Sequence, residues 1–499
     1  MNREALLSSV DKEQIYRGII SGGVYTATAR SVALLVQVVV GIIQARYLTP
    51  AEFGLFGMVT TITSFIVIFR ELGLSYATIQ KQEITYEQLN ALFWINALFG
   101  LILSLFTAAS AWPMGALYKT NEVIPLTLAM STVFIMSGIS VQHAAVLKRK
   151  LYFKKMAIAE VGSAIIGALI GLLLVLQGAG VWALVMMQIV KAAVYNILVW
   201  VYLPWLPSKP KYDSEIRAMV NFGSSIMAFD FINYFSKNVD KILIGRFYGS
   251  GILGVYGKAL ELITLPITQI RGPLTVVAIP ALSKFQKDGP RFSSFFITIT
   301  QVNAALCIPS MLWLALASDF LVPLLLGKQW VEAIPFFRLL AIAGIFQSTV
   351  GILGTMLIAL GNSRRYLAWG LWHGAAMVMC YCTVLFTAPI NMIKLFVFVN
   401  ALVFVPSAYY CASGSPVSTI DFLKAHIMPL KIGGLSLLIW LSTGFISDER
   451  FTFLVFVGRS ALFFTLPIMW LLLRWRGHLK LLRTCQSGVS SIFSNGLKP

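Results

Sequence analysis

From residue 20 to residue 474 the chain runs through about fourteen apolar stretches of roughly 20 residues or more, joined by short polar connections. A stretch of that length crosses a hydrocarbon layer as a helix, because only a helix satisfies its backbone amides internally where no water is available. The longest connections, around 204–217 and 413–425, are too small to hold a domain. The expected fold class is therefore an all-α polytopic membrane protein with about 14 transmembrane helices. Only 12% of the residues are charged, about half the share of a soluble domain, so no part of the chain is polar enough to fold in water.

The two halves of the chain echo one another. Ile43-Gln44-Ala45-Arg46-Tyr47 is followed by Phe53-Gly54-Leu55-Phe56, and Leu243-Ile244-Gly245-Arg246-Phe247 by Leu253-Gly254-Val255-Tyr256. Arginine, aromatic and glycine share one register, offset by 200 residues. A second echo sets Lys119-Thr120-Asn121-Glu122-Val123-Ile124-Pro125 beside Lys328-Gln329-Trp330-Val331-Glu332-Ala333-Ile334-Pro335. Paired echoes in so apolar a chain predict two similar membrane lobes, and in duplicated carriers the substrate lies between the repeats.

Lysine and arginine set the expected orientation. One set of loops and tails holds, among others, Lys148, Arg149, Lys150, Lys154, Lys155, Lys209, Lys211, Arg364 and Arg365; the opposite loops hold Lys119, Lys328, Lys394 and Arg450. A bias of about five to one makes the rich side, both termini included, cytoplasmic, and requires an even number of spans. Residues 1–203 then form a first six-helix lobe, 204–217 a cytoplasmic linker and 218–411 a second six-helix lobe. Residues 412–474 add two further helices, and 475–499 form a cytoplasmic tail. With six spans each, the lobes are expected to be related by an axis along the membrane normal.

Ionisable residues inside spans each cost roughly 2.5–3.5 kcal/mol at the bilayer centre, so they must pair or face a wet cavity. In the first span Arg30, Gln37 and Gln44 recur every seven residues, on one helical stripe. In the seventh, Asp230, Asn233, Tyr234, Lys237 and Lys241 share a face, and the eighth adds Lys258, Glu261 and Arg271. Facing one another, these helices would line a net-cationic chamber suited to a diphosphate, an acidic sugar or both. Arg30, Gln37, Asn233, Lys237, Lys241, Lys258 and Arg271 are the candidate substrate-binding groups. Asp230, Asp240 and Glu261 are candidates for a coupling cation (H+ or Na+) or for charge pairing. Intrahelical pairs of Lys258 with Glu261, and of Lys237 with Asp240 or Asp230, fit the same spacing. Arg46 and Arg246 read as anchors at the outer interface.

Other chemistries fail on the residues present. The net charge of +19 lacks the interleaved aromatics of a strand-binding groove, so no nucleic acid is expected. Gly251-Ile252-Leu253-Gly254-Val255-Tyr256-Gly257-Lys258-Ala259 lacks the first glycine and the Ser/Thr of a phosphate loop. Five scattered cysteines and four isolated histidines show no metal-ligand spacing, so no metal and no cofactor are expected. The polar first residues and the long run after them do not fit a cleavable signal. No large outer loop provides for a polymerase or glycosyltransferase, and the expectation is a transporter rather than an enzyme.

The motifs also resemble those of a known family. Ala45-Arg46 with Leu48, Pro50 and Phe53-Gly54, and Glu71-Leu72-Gly73-Leu74 with Ala77 and Ile79-Gln80, look like the opening of the polysaccharide-transport (Wzx-type) flippases. Asn238-Val239-Asp240-Lys241-Ile242-Leu243-Ile244-Gly245-Arg246, with Leu253-Gly254-Val255-Tyr256 and Pro280-Ala281-Leu282-Ser283, is similar to their second-half signature. The match covers roughly residues 20–410. The resemblance implies the multidrug/oligosaccharidyl-lipid/polysaccharide exporter (MATE-like) superfamily, with fourteen helices in a V-shaped pair of lobes. It implies alternating-access flipping of an undecaprenyl-diphosphate-linked oligosaccharide across a bacterial inner membrane for exopolysaccharide synthesis, beside polymerase and export machinery. Of the motif residues, Asp240 and Arg246 are the charged ones that carry over. Alternatives are an ion-coupled small-molecule or multidrug antiporter of the same superfamily, which the cationic stripes disfavour, and a membrane polysaccharide polymerase.

Overall fold

The computed structural model describes residues 12–67, 78–79, 84–209, 214–383, 386–443 and 453–471, with the side chains of 12–21, 24, 65–67 and 214–237 left aside. No strand occurs among the described residues. The helices are α1 (Lys12–Tyr47), α2 (Pro50–Val67), α3 (Tyr86–Tyr118), α4 (Val123–Arg149), α5 (Phe153–Leu176), α6 (Trp182–Tyr202) and α7 (Ser214–Lys284). They continue with α8 (Gly289–Leu316), α9 (Ser318–Leu326), α10 (Ala333–Ala359), α11 (Ser363–Thr383), α12 (Pro389–Ala412), α13 (Thr419–Ser442) and α14 (Phe453–Leu471). A 3-10 turn, Lys328–Trp330, lies between α9 and α10.

Each expected span meets a helix, and eleven of the described helices are long and apolar enough to cross a membrane. The protein is a multi-pass α-helical membrane protein. Two of the expected spans, 218–246 and 252–281, form one element, α7, broken at Gly249. Gly249 has φ 81° and ψ −178°, a backbone conformation essentially restricted to glycine. The corresponding break after α1 falls at Thr49, the same 200 residues earlier. There the turn is built by a reciprocal cap: Glu52 Oε2 accepts from the Thr49 amide (2.7 Å) and hydroxyl (2.8 Å), with Pro50 at the first helical position.

The described chain divides into two compact units, Met1–Gly257 with Leu325–Trp330, and Lys258–Leu324 with Val331–Pro499. In the first, α3 packs along α4, α5 along α6, and α1 along α5. Small residues allow these close approaches, because lipid offers no hydrophobic drive between helices and backbone packing must replace it. Ser163, Gly167 and Gly171 lie four apart on α5; a Cβ on Gly167 would stand 2.9 Å from the Met187 carbonyl oxygen. A Cβ on Gly100 of α3 would stand 2.8 Å from the Cα of Gly138 on α4. One end of this unit is sealed by an aromatic cluster in which buried His143 stacks on Trp200 (4.1 Å) and bonds the Trp205 carbonyl (3.0 Å). In the second unit α10 packs against α8 and α12, with α13 along α8. Arg365 donates to the Tyr410 and Ser413 carbonyls at the end of α12, satisfying acceptors the helix leaves open.

Candidate functional site

The α1 stripe read from seven-residue spacing is divided in the fold. Arg30 and Gln37 are exposed along α1, whereas Gln44 is buried, facing Gly171 of α5 and donating to the Met187 sulfur at 3.6 Å. A seven-residue step falls about 20° short of two full helical turns, so the stripe drifts around the helix. No ion pair involves Arg30 among the described residues. The side chains of Asp230, Asn233 and Lys237 lie outside the described residues.

Around the Gly249 break the charged groups are engaged locally. Asp240 is buried, and the Tyr256 hydroxyl on the far side of the break donates to its Oδ2 at 2.5 Å. Lys241 Nζ donates to Asn238 Oδ1 at 3.1 Å. Lys258, buried, forms an ion pair with Glu261 at 3.0 Å, the intrahelical arrangement their spacing allows.

Arg271 differs from these. It projects from the second arm of α7 over Gly351 of α10, where a Cβ would stand 1.8 Å from its Nη1. Cys307 and Tyr366 lie within electrostatic range, and no carboxylate pairs with it among the described residues. The Gly351 backbone thus makes a cradle for an intramembrane guanidinium. A cavity of about 790 Å³ at the starts of α8 and α13, lined by Ser293, Ser294, Thr298 and Lys424 among others, holds none of the candidate residues.

The echoes, read from sequence only as a duplication with anchoring arginines, turn out to touch. A Cβ on Gly54 would stand 1.7 Å from the Ser250 carbonyl oxygen, and one on Gly254 1.8 Å from the Pro50 carbonyl oxygen. The contact is reciprocal under the 200-residue offset, as across a two-fold axis. The second echo joins it: Trp330 Nε1 donates to the Ala45 carbonyl (2.7 Å), and Gln329 Nε2 to those of Ala45 (2.8 Å) and Arg46 (2.9 Å). Those are carbonyls that a helix end leaves without partners. Trp330 is fully buried and meets the Phe53 ring edge-on at 5.4 Å. Tyr118, just before the first copy of the second echo, packs onto Gly245. Gln329 and Trp330 stood in the second echo without a role of their own, and Tyr118 was not singled out; the glycines' fixed register was the signal for a close approach.

Residues 43–335, more than half of the chain, match the family described as polysaccharide biosynthesis protein. The chain belongs to this family. Its relatives include the teichuronic acid biosynthesis protein TuaB of Bacillus subtilis, 28% identical over 71% of this chain and 74% of that protein. The lipopolysaccharide biosynthesis protein WzxC of Escherichia coli is 25% identical over 68% and 70%. The succinoglycan biosynthesis transport protein ExoT of Rhizobium meliloti is 27% identical over 67% and 68%. This member of the family shares its fold with the lipid II flippase MurJ in an inward closed conformation, at TM-score 0.69 and 14% identity over 92% of this chain and all of that one. An inward-facing multidrug MATE transporter of the MOP superfamily follows at TM-score 0.60 and 11% identity, over 77% and 98%. The matched region holds both copies of both echoes, Arg271 and the Gly249 break.

Proposed function

We propose that the protein is an alternating-access flippase that moves an undecaprenyl-diphosphate-linked oligosaccharide from the cytoplasmic to the periplasmic leaflet of a bacterial inner membrane, for exopolysaccharide synthesis. The reading is carried by the family match over residues 43–335. A relative named as a succinoglycan biosynthesis transport protein supports it. So does a fold held in common with a lipid II flippase. The lysine and arginine asymmetry supports a cytoplasmic position for both termini.

Arg271 and Arg30 are the proposed diphosphate ligands, since neither forms an ion pair among the described residues. A guanidinium suits the task, because its fork of N–H donors matches phosphate oxygens and stays charged when buried. Gln37 and Lys241, with Asn233 and Lys237, are proposed to contact the diphosphate or the first sugars. Lys258 enters only if substrate displaces Glu261. The polyprenyl tail stays in lipid. Binding drives the change of access only through different affinities for the two states.

Deletion of the gene in its host should trap complete lipid-linked repeat units on the cytoplasmic leaflet and abolish secreted polymer. Mass spectrometry of the lipid pool, with sidedness scored by a non-permeant glycan label, makes the measurement. Complete units reaching the periplasmic leaflet unpolymerised would point to a polymerase; unchanged pools would point to a small-molecule antiporter.

A further inference from the structure

The crossing of the echoes joins the α1–α2 corner to the Gly249 break. It includes backbone approach at Gly54 and Gly254, the Leu253 side chain between Gly57 and Gly245, the edge-on contact of Phe53 with Trp330, and three hydrogen bonds from Gln329 and Trp330. It also leaves polar groups unsatisfied. The Tyr118 hydroxyl, on a side chain 4% exposed, and Arg246 Nη1 are both buried without a hydrogen-bond partner among the described residues. Buried donors left bare are uncommon and costly, so this arrangement is held by its other contacts against a standing penalty. A second arrangement that wets Tyr118 and Arg246 would relieve it. The two copies are not equivalent: the end of α1 is capped by hydrogen bonds from Gln329 and Trp330, whereas Gly245 receives the Tyr118 ring and the Leu253 side chain.

We propose that this crossing is a releasable latch closing the outer end of the protein, and that each transport cycle requires Gln329 and Trp330 to let go of Ala45 and Arg46. The assignment to the outer end, and to a cycle, rests on the flippase reading above.

Two readouts test it on the full-length protein with its native cysteines replaced. A side chain at 57 meets only ordinary contacts, 3.6 Å from Leu253, so Gly57→Cys with Leu253→Cys is tolerated and can be oxidised to a disulfide. Oxidised protein should lose transport of lipid-linked oligosaccharide and regain it with reductant, while either single variant is indifferent to oxidant. Full transport by fully cross-linked protein would overturn the latch.

The second readout needs no substrate. Spin labels at Tyr47→Cys and Phe247→Cys, on residues 59% and 43% exposed, should report two distance populations. Trp330→Phe with Gln329→Ala should shift their ratio toward the longer distance by roughly tenfold or more, as expected for three lost hydrogen bonds. One unchanged population in both proteins would overturn the latch. A shifting pair of populations without any movement of lipid-linked oligosaccharide would uphold the latch and sink the flippase reading alone.

Discussion

Replacing Gly54 by alanine should reduce transport by more than about tenfold, whereas the same change at Gly57, one helical turn along, should leave it near the natural level. The two sites differ in what a single methyl group meets. At 54 it would stand 1.7 Å from the Ser250 carbonyl oxygen; at 57 it would lie 3.6 Å from the Leu253 side chain. A side chain can turn aside, but the Ser250 carbonyl is backbone next to the Gly249 break, so the whole crossing must separate instead. Separation moves Phe53 from Trp330 and lengthens the hydrogen bonds that Trp330 and Gln329 make to Ala45 and Arg46. Gly254→Ala should do the same through Pro50. Overpacking of this kind costs on the order of 1–3 kcal/mol, comparable to the hydrogen bonds that hold the closed arrangement. Transport assays of the three variants at matched membrane abundance make the comparison. Equal activity of Gly54→Ala and Gly57→Ala would show that close approach at this crossing is dispensable.

Arg271→Gln should abolish transport while raising the thermal stability of the purified protein. An intramembrane cation that no carboxylate pairs with among the described residues is costly to the fold, at roughly 2.5–3.5 kcal/mol by insertion scales, so removing its charge relieves the folded state. The same charge is what a diphosphate would bind, and loss of one partner of a desolvated charge pair costs on the order of 2–5 kcal/mol, about a hundredfold or more in affinity. Function lost and stability gained together separate a ligand-binding arginine from a structural one. Gly351→Ala should reproduce part of the defect, because its methyl group would stand 1.8 Å from Arg271 Nη1 and displace the guanidinium. Melting curves and transport assays on both variants decide the matter. A destabilised Arg271→Gln protein with normal transport per folded molecule would mark Arg271 as structural.

What was legible in the sequence was what depends on periodicity and composition. Fourteen apolar stretches announced the helices, since the bilayer leaves few other ways to satisfy a backbone. The break between 246 and 252 was foreseen, though as a loop between spans; Gly249 makes it with one residue in a glycine conformation. The short helix α9 was missed, being too brief to cross a membrane and joined to the longer apolar pattern. The intrahelical pair of Lys258 with Glu261, which the spacing allowed beside a substrate-binding role, is formed. Spacing failed for Gln44, because neighbouring helices decide which part of a stripe is covered, and Gly171 and Met187 cover that end of α1. The seat of Arg271 over Gly351 brings together two distant helices, which no local pattern reveals. The echoes carried more than was read from them. Their fixed register marked a reciprocal contact, but a repeat in one chain does not say which residues of the two copies will meet.

The most direct test of the central claim uses purified protein in liposomes with a fluorescent undecaprenyl-diphosphate-linked oligosaccharide and a non-permeant quencher. In protein-free vesicles the quencher should reach only the outer-leaflet glycan. With the protein present, quenching should continue slowly into the inner-leaflet pool, and Arg271→Gln should return the trace to that of empty vesicles. An inner pool that stays protected in the presence of folded protein with Arg271 unchanged would contradict the flippase assignment.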